Sequence, residues 1–281
     1  MNFYKYLIVL GLAVAFCACD LEQEVDIDLP QYESQLVVEC YLQAGKPFTL
    51  LLSESAPYFE SFPPIGDIFL DQLLVDSAEV VISHKGTDYV LENQIFFDLE
   101  DLKFFNYFNP ELVPDDLDRE FELQITTRDG QTVLGRTRLL PVVPIDSVVV
   151  EFNEEVDTLA RVLTYFTDNA ETENFYRRML SIGSLDSLEQ DFTVDDRLFE
   201  GTVVFGTNFE YTAGDTIINT IFHITEPYYN FLESVQIAIN ANFNPFGQPS
   251  PIISGLEGNA NAIGVFTGFA FDRVVTIIPP E

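Results

Sequence analysis

Histidine is nearly absent from this chain, and that scarcity removes more chemistry than any other feature of its composition. Only His84 and His223 occur in 281 residues. They lie far apart, and neither stands in an HExxH, CxxC or His-x-Asp cluster, so no zinc ligand set has usable spacing. His84 precedes Lys85-Gly86-Thr87-Asp88 and reads as a surface residue at a turn. His223 alternates with Ile217, Asn219 and Ile221 and reads as a half-buried, hydrogen-bonded histidine on a strand. The GxSxG elbow, the phosphate-cradling GxxxxGK[ST] and a GxGxxG after a strand are also missing. Hydrolase, nucleotidase and dinucleotide chemistry thus lack their sequence signals.

Basic residues are scarce too: 13 Lys and Arg stand against 46 Asp and Glu, a net charge of −33. Such a field repels phosphate backbones and anionic headgroups, which argues against nucleic acid as a partner. Cysteine is limited to three residues. Once Cys17 is removed and Cys19 acylated, as argued below, only Cys40 remains, and no intramolecular disulfide can form. Alternation in Leu36 to Leu42 puts Cys40 on one face with Leu36, Val38 and Leu42, so it reads as a buried thiol, not a nucleophile. With this ligand inventory, neither a metal nor another cofactor is expected. Asp115-Asp116-Leu117-Asp118 and Asp195-Asp196 do not match a calcium loop and read as solvated turns.

Long apolar runs are missing as well. The longest near the start, Tyr6 to Phe16, has about 11 residues, whereas a spanning helix takes about 20. It follows Lys5 and precedes Ala18-Cys19, the pattern of a secretory leader with a lipid-accepting cysteine at its cleavage point. Residues 1–18 are therefore expected to be a lipoprotein signal peptide and Cys19 the lipidation site. Residues 19–34, with six acids and no base, read as an extended tether.

Beyond the tether the apolar period is two. Strands are expected at 36–42, 48–53, 78–83 and 121–127, then at 148–152, 160–167, 174–182, 202–205, 216–224 and 262–278. Gly201, Gly206, Gly214, Gly264 and Gly268 are expected to interrupt these runs at turns or bulges. Asp129-Gly130 suits a two-residue type I′ loop that would set Ile125 opposite Leu134. Pro141 and Pro144 place a boundary between two β domains. Thr225-Glu226-Pro227, followed by apolar residues at helical spacing, starts a helix near 226–240. The expected architecture is mainly β: two consecutive β-sandwich domains, 35–142 and 143–281. The first is expected to be immunoglobulin-like or prealbumin-like and the second to carry the helix.

Aromatics carry more functional information than ionisable groups. Two stretches, 57–64 and 104–108, are expected on loops at a sandwich end, with Phe59, Phe62, Phe104, Phe105 and Tyr107 as candidate contacts for a ligand or partner. The competing reading is that these rings fold back and pack.

Several motifs in order resemble one family: the leader with Cys19, Glu24-Val25-Asp26-Ile27-Asp28-Leu29-Pro30, Leu36-Val37-Val38-Glu39, Pro47-Phe48 and Leu52-Ser53-Glu54-Ser55. Asn174-Phe175-Tyr176, Asp195 to Gly201, Tyr228 to Leu232 and Gly264-Val265-Phe266 extend the likeness over nearly the whole chain after the leader. The family comprises Bacteroidota-type outer-membrane lipoproteins catalogued as domain of unknown function four-two-four-nine. Phe16 departs from the aliphatic residue usual three positions before the cysteine. The resemblance implies an outer-membrane lipoprotein facing the cell exterior, with the acidic segment as its surface-export signal. It also implies an accessory role beside a TonB-dependent transporter, and it supplies no catalytic residues. The expectation is a non-enzymatic surface lipoprotein binding a nutrient ligand or such a transporter. A structural or adhesive envelope component is the alternative, and a carboxylate-pair glycoside hydrolase ranks third.

Overall fold

The computed structural model describes residues 34–55, 73–98, 103–199, 201–242 and 250–280. The signal peptide at 1–18, Cys19, the tether up to residue 33 and the candidate contacts Phe59 and Phe62 lie outside the described residues.

The described chain is mainly β, with fifteen strands and one α-helix. The first group is β1 (Leu36–Leu42), β2 (Pro47–Glu54), β3 (Glu79–His84), β4 (Thr87–Asp98), β5 (Lys103–Leu112), β6 (Phe121–Thr126) and β7 (Thr132–Thr137). The second is β8 (Ile145–Phe152), β9 (Ala160–Thr167), β10 (Phe175–Ile182), β11 (Leu188–Asp195), β12 (Thr202–Gly206) and β13 (Thr216–Ile224). Helix α1 (Glu226–Asn242), the short β14 (Glu257–Gly258) and the long β15 (Ala262–Ile277) complete the chain. Twelve strands join in one sheet, in the order β11-β10-β13-β15-β1-β2-β5-β4-β3-β6-β7-β14, and β12-β9-β8 form a second.

Alternation explains how the sheets pack. In β1 and β2, Val38, Cys40, Leu42, Phe48, Leu50 and Leu52 all point to one side and are fully buried. The large sheet curls so that Val80, Ile82, Phe121, Leu123, Ile125 and Val133 meet them in a single core. Each such side chain contributes about 1.5–3 kcal/mol on burial. Cys40 sits inside this core, and burial pushes its thiol well above the usual range, so the thiolate is suppressed. The β8/β9/β12 sheet covers β10 and β13 around Phe166, Tyr176, Val203 and Ile221.

Strand β15 connects the two groups. Its first half pairs with β1 in parallel, Leu36↔Ala262 through Leu42↔Gly268, and its second half with β13 antiparallel, Thr216↔Ile277 through Ile224↔Phe269. Phe266 enters the first core and Val274 packs against the second, both from even-numbered positions and hence one strand face. Its odd-numbered face carries Val265, Phe269, Phe271 and Arg273, and α1 covers the near end of that face through Tyr228 and Val265.

Three local expectations need correction. The Asp129-Gly130 hairpin forms, but Ile125 pairs with Val133 and Leu134 with Gln124. Only Gly130 has positive φ in that loop, +83°, and its N–H donates to Thr127 O at 2.9 Å. That is a type I turn followed by a left-handed glycine, wider than a type I′ loop. Thr127 and Gln131 both hydrogen-bond the Asp129 carboxylate and hold the extra width. The shift turns Val133 inward and leaves Leu134 exposed. The type I′ signature occurs at Lys85-Gly86 between β3 and β4, with φ of 51° and 78°.

His84, expected at the surface, is buried: Nδ1 faces Glu120 O at 3.1 Å and Nε2 faces Asp116 at 3.0 Å. Its ring stacks on Phe121 with centroids 4.0 Å apart. The apolar Phe121 at a strand start supplies burial that the polar turn sequence did not announce. His223 is hydrogen-bonded as expected, through Nδ1 to Pro141 O at 2.9 Å, but is buried where half-burial is expected, and burial pulls its pKa down.

The aromatic run 104–108 is part of strand β5 and not a loop. Phe105, Asn106 and Tyr107 are all buried, because both faces of β5 are covered there. A strand buried on both faces loses the alternation by which strands are recognised. Asn106 completes the pattern with its side chain, accepting from Leu52 N–H at 2.8 Å and donating to Leu52 O at 2.9 Å.

Candidate functional site

The outer face of the β10-β13-β15-β1-β2-β5 stretch holds a cleft of about 540 Å³. This is within the range of small-molecule sites, roughly 300–1,000 Å³. Two cross-strand ladders make its floor. Arg177, Phe222 and Phe271 lie side by side across β10, β13 and β15, and Met179, Thr220 and Arg273 follow two residues along. These are the residues left over once the opposite, even or odd, positions have gone into the second core. Tyr41 from β1, Thr49 from β2, Phe105 from β5 and Tyr228 from α1 raise the walls.

The rings form one continuous surface. Phe222 lies 5.3 Å from Phe271 and 5.8 Å from Phe269, and Tyr41 meets Tyr228 edge-on at 5.8 Å. Such offset and edge contacts fix ring orientation as well as bury area. Burial raises Tyr41 and Tyr228 above the usual tyrosine range, so both hydroxyls stay protonated. Burial opposes the Arg177 charge. Asp191, bound at 2.7 and 2.6 Å, and the Tyr228 hydroxyl at 3.1 Å outweigh that and hold the guanidinium charged. Arg273 donates from Nε to Thr220 Oγ1 at 2.9 Å and lies 5.0 Å from the Phe271 ring centre. Lys103 sits 4.4 Å from the Tyr41 ring centre.

The aromatic candidates divide. Phe105 lines the cleft, Tyr107 is fully buried in the first core, and Phe104 is half-buried beside Phe97. The Tyr107 hydroxyl accepts the Ala78 N–H at 3.0 Å. Tyr107→Ala is expected to cost about 3–5 kcal/mol of stability. Phe105→Ala, at the cleft wall and 7% exposed, is expected to cost less, and thermal melts of the two variants measure the difference. Sequence reasoning missed Arg177, Phe222, Phe269, Phe271 and Arg273. Their only signal is aromatic alternation, Phe269-x-Phe271, opposite the core-facing positions of a strand.

Both acidic clusters are engaged with the protein. Asp116 binds Lys85 and His84 and accepts the Asp118 N–H at 3.1 Å. Lys85 does most to lower its pKa, from 3.8 to about 2. Asp195 caps the turn Asp196–Leu198 and pairs with Arg197, and Asp196 accepts the Asn174 N–H at 2.6 Å. Among the described residues no group of three His, Cys, Asp or Glu is placed to hold a metal ion. A depressed carboxylate stabilises the fold above its unfolded value and loses that contribution as it protonates in the native state. Thermal stability is therefore expected to fall as pH drops from 3.8 through about 2. Asp116→Asn should flatten that part of the melting-temperature profile.

The family model described as "Domain of unknown function (DUF4249)" matches residues 22–273. The chain belongs to this family. No curated protein matches this DUF4249 member. A solved structure titled "Cytokine receptor complex - Crystal form 1A" is similar to it at 8% identity and a TM-score of 0.24. That match covers 86% of the DUF4249 chain and 95% of the other. At that score the likeness carries no argument about fold or function.

Proposed function

We propose that this chain is a non-enzymatic lipoprotein of the outer-membrane surface, anchored through acylated Cys19, that uses the cleft to bind a nutrient ligand for a TonB-dependent transporter. The observation that carries the binding reading is the cleft itself: about 540 Å³, walled by rings held in edge and offset contacts. Its size and mixed lining suit a small molecule held by apolar contact and oriented by a few polar groups. Neither histidine lines it, and Arg177 is already neutralised by Asp191, so the lining favours holding a ligand over moving protons.

The location rests on the leader ending at Cys19, on the acidic residues that follow and on the family resemblance. Lipidation of that residue would keep the acidic body tethered while its charge holds it off an anionic surface. Intact-mass analysis of material from the native host is expected to show a diacylglyceryl group on Cys19 and the loss of residues 1–18. Pull-down of the detergent-solubilised native protein with mass spectrometry should recover a TonB-dependent barrel. Repeated isolation without any barrel would refute the transporter partnership and leave ligand binding to be judged at the cleft.

A further inference from the structure

Taking the cleft as the ligand site, we infer that it selects an organic anion, a carboxylate on a flat aromatic body, with Arg273 as the group that holds the carboxylate. The first support is charge. Four of the chain's 13 basic residues, Lys46, Lys103, Arg177 and Arg273, line this one cleft, against two of its 46 acidic residues, Asp98 and Asp186. Even with Asp191 counted against Arg177, this lining stays net positive in a chain that carries −33 overall. Low-dielectric walls concentrate such a local field.

The second support is the contrast between the two arginines. Arg177 is saturated: Asp191 takes Nε and Nη2, and Nη1 donates to Tyr228. Arg273 uses Nε alone, on the buried Thr220 hydroxyl. It makes no ion pair among the described residues, and neither of its Nη atoms makes a hydrogen bond there. One hydrogen bond and the face of Phe271 thus fix the plane of the guanidinium while its outer donors stay available. A planar fork held this way matches the two oxygens of a carboxylate, which a point charge would not do. Half-burying a guanidinium without a counter-charge is costly, and an anionic ligand supplies that charge.

The third support is the shape of what surrounds the fork. Phe222 and Phe271 on the floor and Tyr41 on the wall present ring faces and edges within one cavity. Ring faces and edges of this kind favour a flat aromatic body as their partner. Lys103, over the Tyr41 ring, adds a further cation to the same lining.

The test uses 2-naphthoate and 2-naphthamide, which share one ring system and differ in charge, titrated calorimetrically into the full-length, detergent-solubilised protein against a detergent blank. Naphthoate is expected to bind at least tenfold more tightly than naphthamide. Arg273→Gln should remove that advantage and leave naphthamide unchanged, whereas Arg273→Lys, which keeps charge but loses the fork, should fall between. Met179→Trp, which fills the floor, should abolish binding of both, and thermal melts confirm that each variant is folded. Equal affinity for the two compounds, or an advantage that survives Arg273→Gln, overturns the anion selectivity. If Met179→Trp abolishes both all the same, the cleft still stands as a ligand site. Binding of neither compound, or binding that Met179→Trp leaves intact, overturns the inference. The second of those results also removes the cleft reading on which it rests.

Discussion

Gly264→Ala is expected to destabilise the protein by more than about 4 kcal/mol, the range in which single substitutions disrupt a core. Gly264 lies inside β15, opposite Val38 of β1, with φ +126°. A Cβ there would stand 2.0 Å from Val38 O and 2.8 Å from Val38 C and N. These are backbone atoms of a central strand, so they cannot rotate away as a side chain tip would. The clash falls inside the parallel β1–β15 ladder, before β15 changes partner after Gly268, so relieving it means parting the ladder that closes the first core beside Val38 and Phe266. Gly45→Ala is the control: its φ is +76° and no atom lies within 4 Å of the added carbon. It should cost only the strain of a left-handed alanine, about 1–2 kcal/mol. Chemical denaturation of both variants measures the difference. A Gly264→Ala protein no less stable than Gly45→Ala would mean that β1 and β15 are not paired closely at this point.

That glycine also shows where the sequence could and could not be read. Gly264 is expected to interrupt the 262–278 run at a turn or bulge; in the structure the strand continues through it with φ +126°, because the neighbouring backbone needs the space. Gly268 is similar, with a Cβ position 2.2 Å from Arg138 O. Strands with one covered face were legible, and Ala160–Thr167 and Thr216–Ile224 begin and end where the period-two pattern places them. The end of the helix lies two residues beyond its expected limit, at Asn242. Strands β4, β5 and β11 were not legible. β5 is covered on both sides, and β11 is an edge strand whose Leu188 and Phe192 are exposed, so neither shows clean alternation.

The cleft was hidden for a different reason. Its floor joins β10, β13 and β15, whose partners lie dozens of residues apart, and its walls come from β1, β2 and β5. Nothing local marks Arg273 as a neighbour of Thr220 or Phe222 as a neighbour of Phe271. What the sequence did carry is the strand alternation that separates Arg177 from Arg178. These adjacent arginines point to opposite faces, one into the cleft and one into the core.

Arg178 gives the second large effect. It is fully buried, and its bonds go to Gly206 O at 3.3 Å and Asn219 Oδ1 at 3.1 Å, with no carboxylate partner among the described residues. Burial lowers its pKa to about 10, the Tyr211 hydroxyl acting weakly in the other direction. Arg178 Nε and Asn219 Nδ2 are buried without hydrogen-bond partners. Each such donor costs about 1–3 kcal/mol, so the guanidinium fills space and binds two acceptors at the expense of its own desolvation. Arg178→Ala is expected to lose about 3–5 kcal/mol, because it opens a cavity beneath Phe205 and strips Asn219 Oδ1 and Gly206 O of a donor. Arg178→Met strips the same two acceptors but fills most of that volume, removes the orphaned Nε and the buried charge, and leaves Asn219 Oδ1 with the Thr164 donor at 2.9 Å. It should therefore lie within about 1 kcal/mol of the native protein, or above it, as buried ions replaced by apolar side chains often do. A native guanidinium with a depressed pKa also makes stability rise with pH above about 10, since the unfolded chain then holds the proton that the folded one has released. That contribution should vanish in Arg178→Met, and comparing alkaline melts of the two proteins isolates it from the tyrosines titrating in the same range. If Met proves as damaging as Ala, the charge itself holds β10, β12 and β13 together, and the account based on volume is wrong.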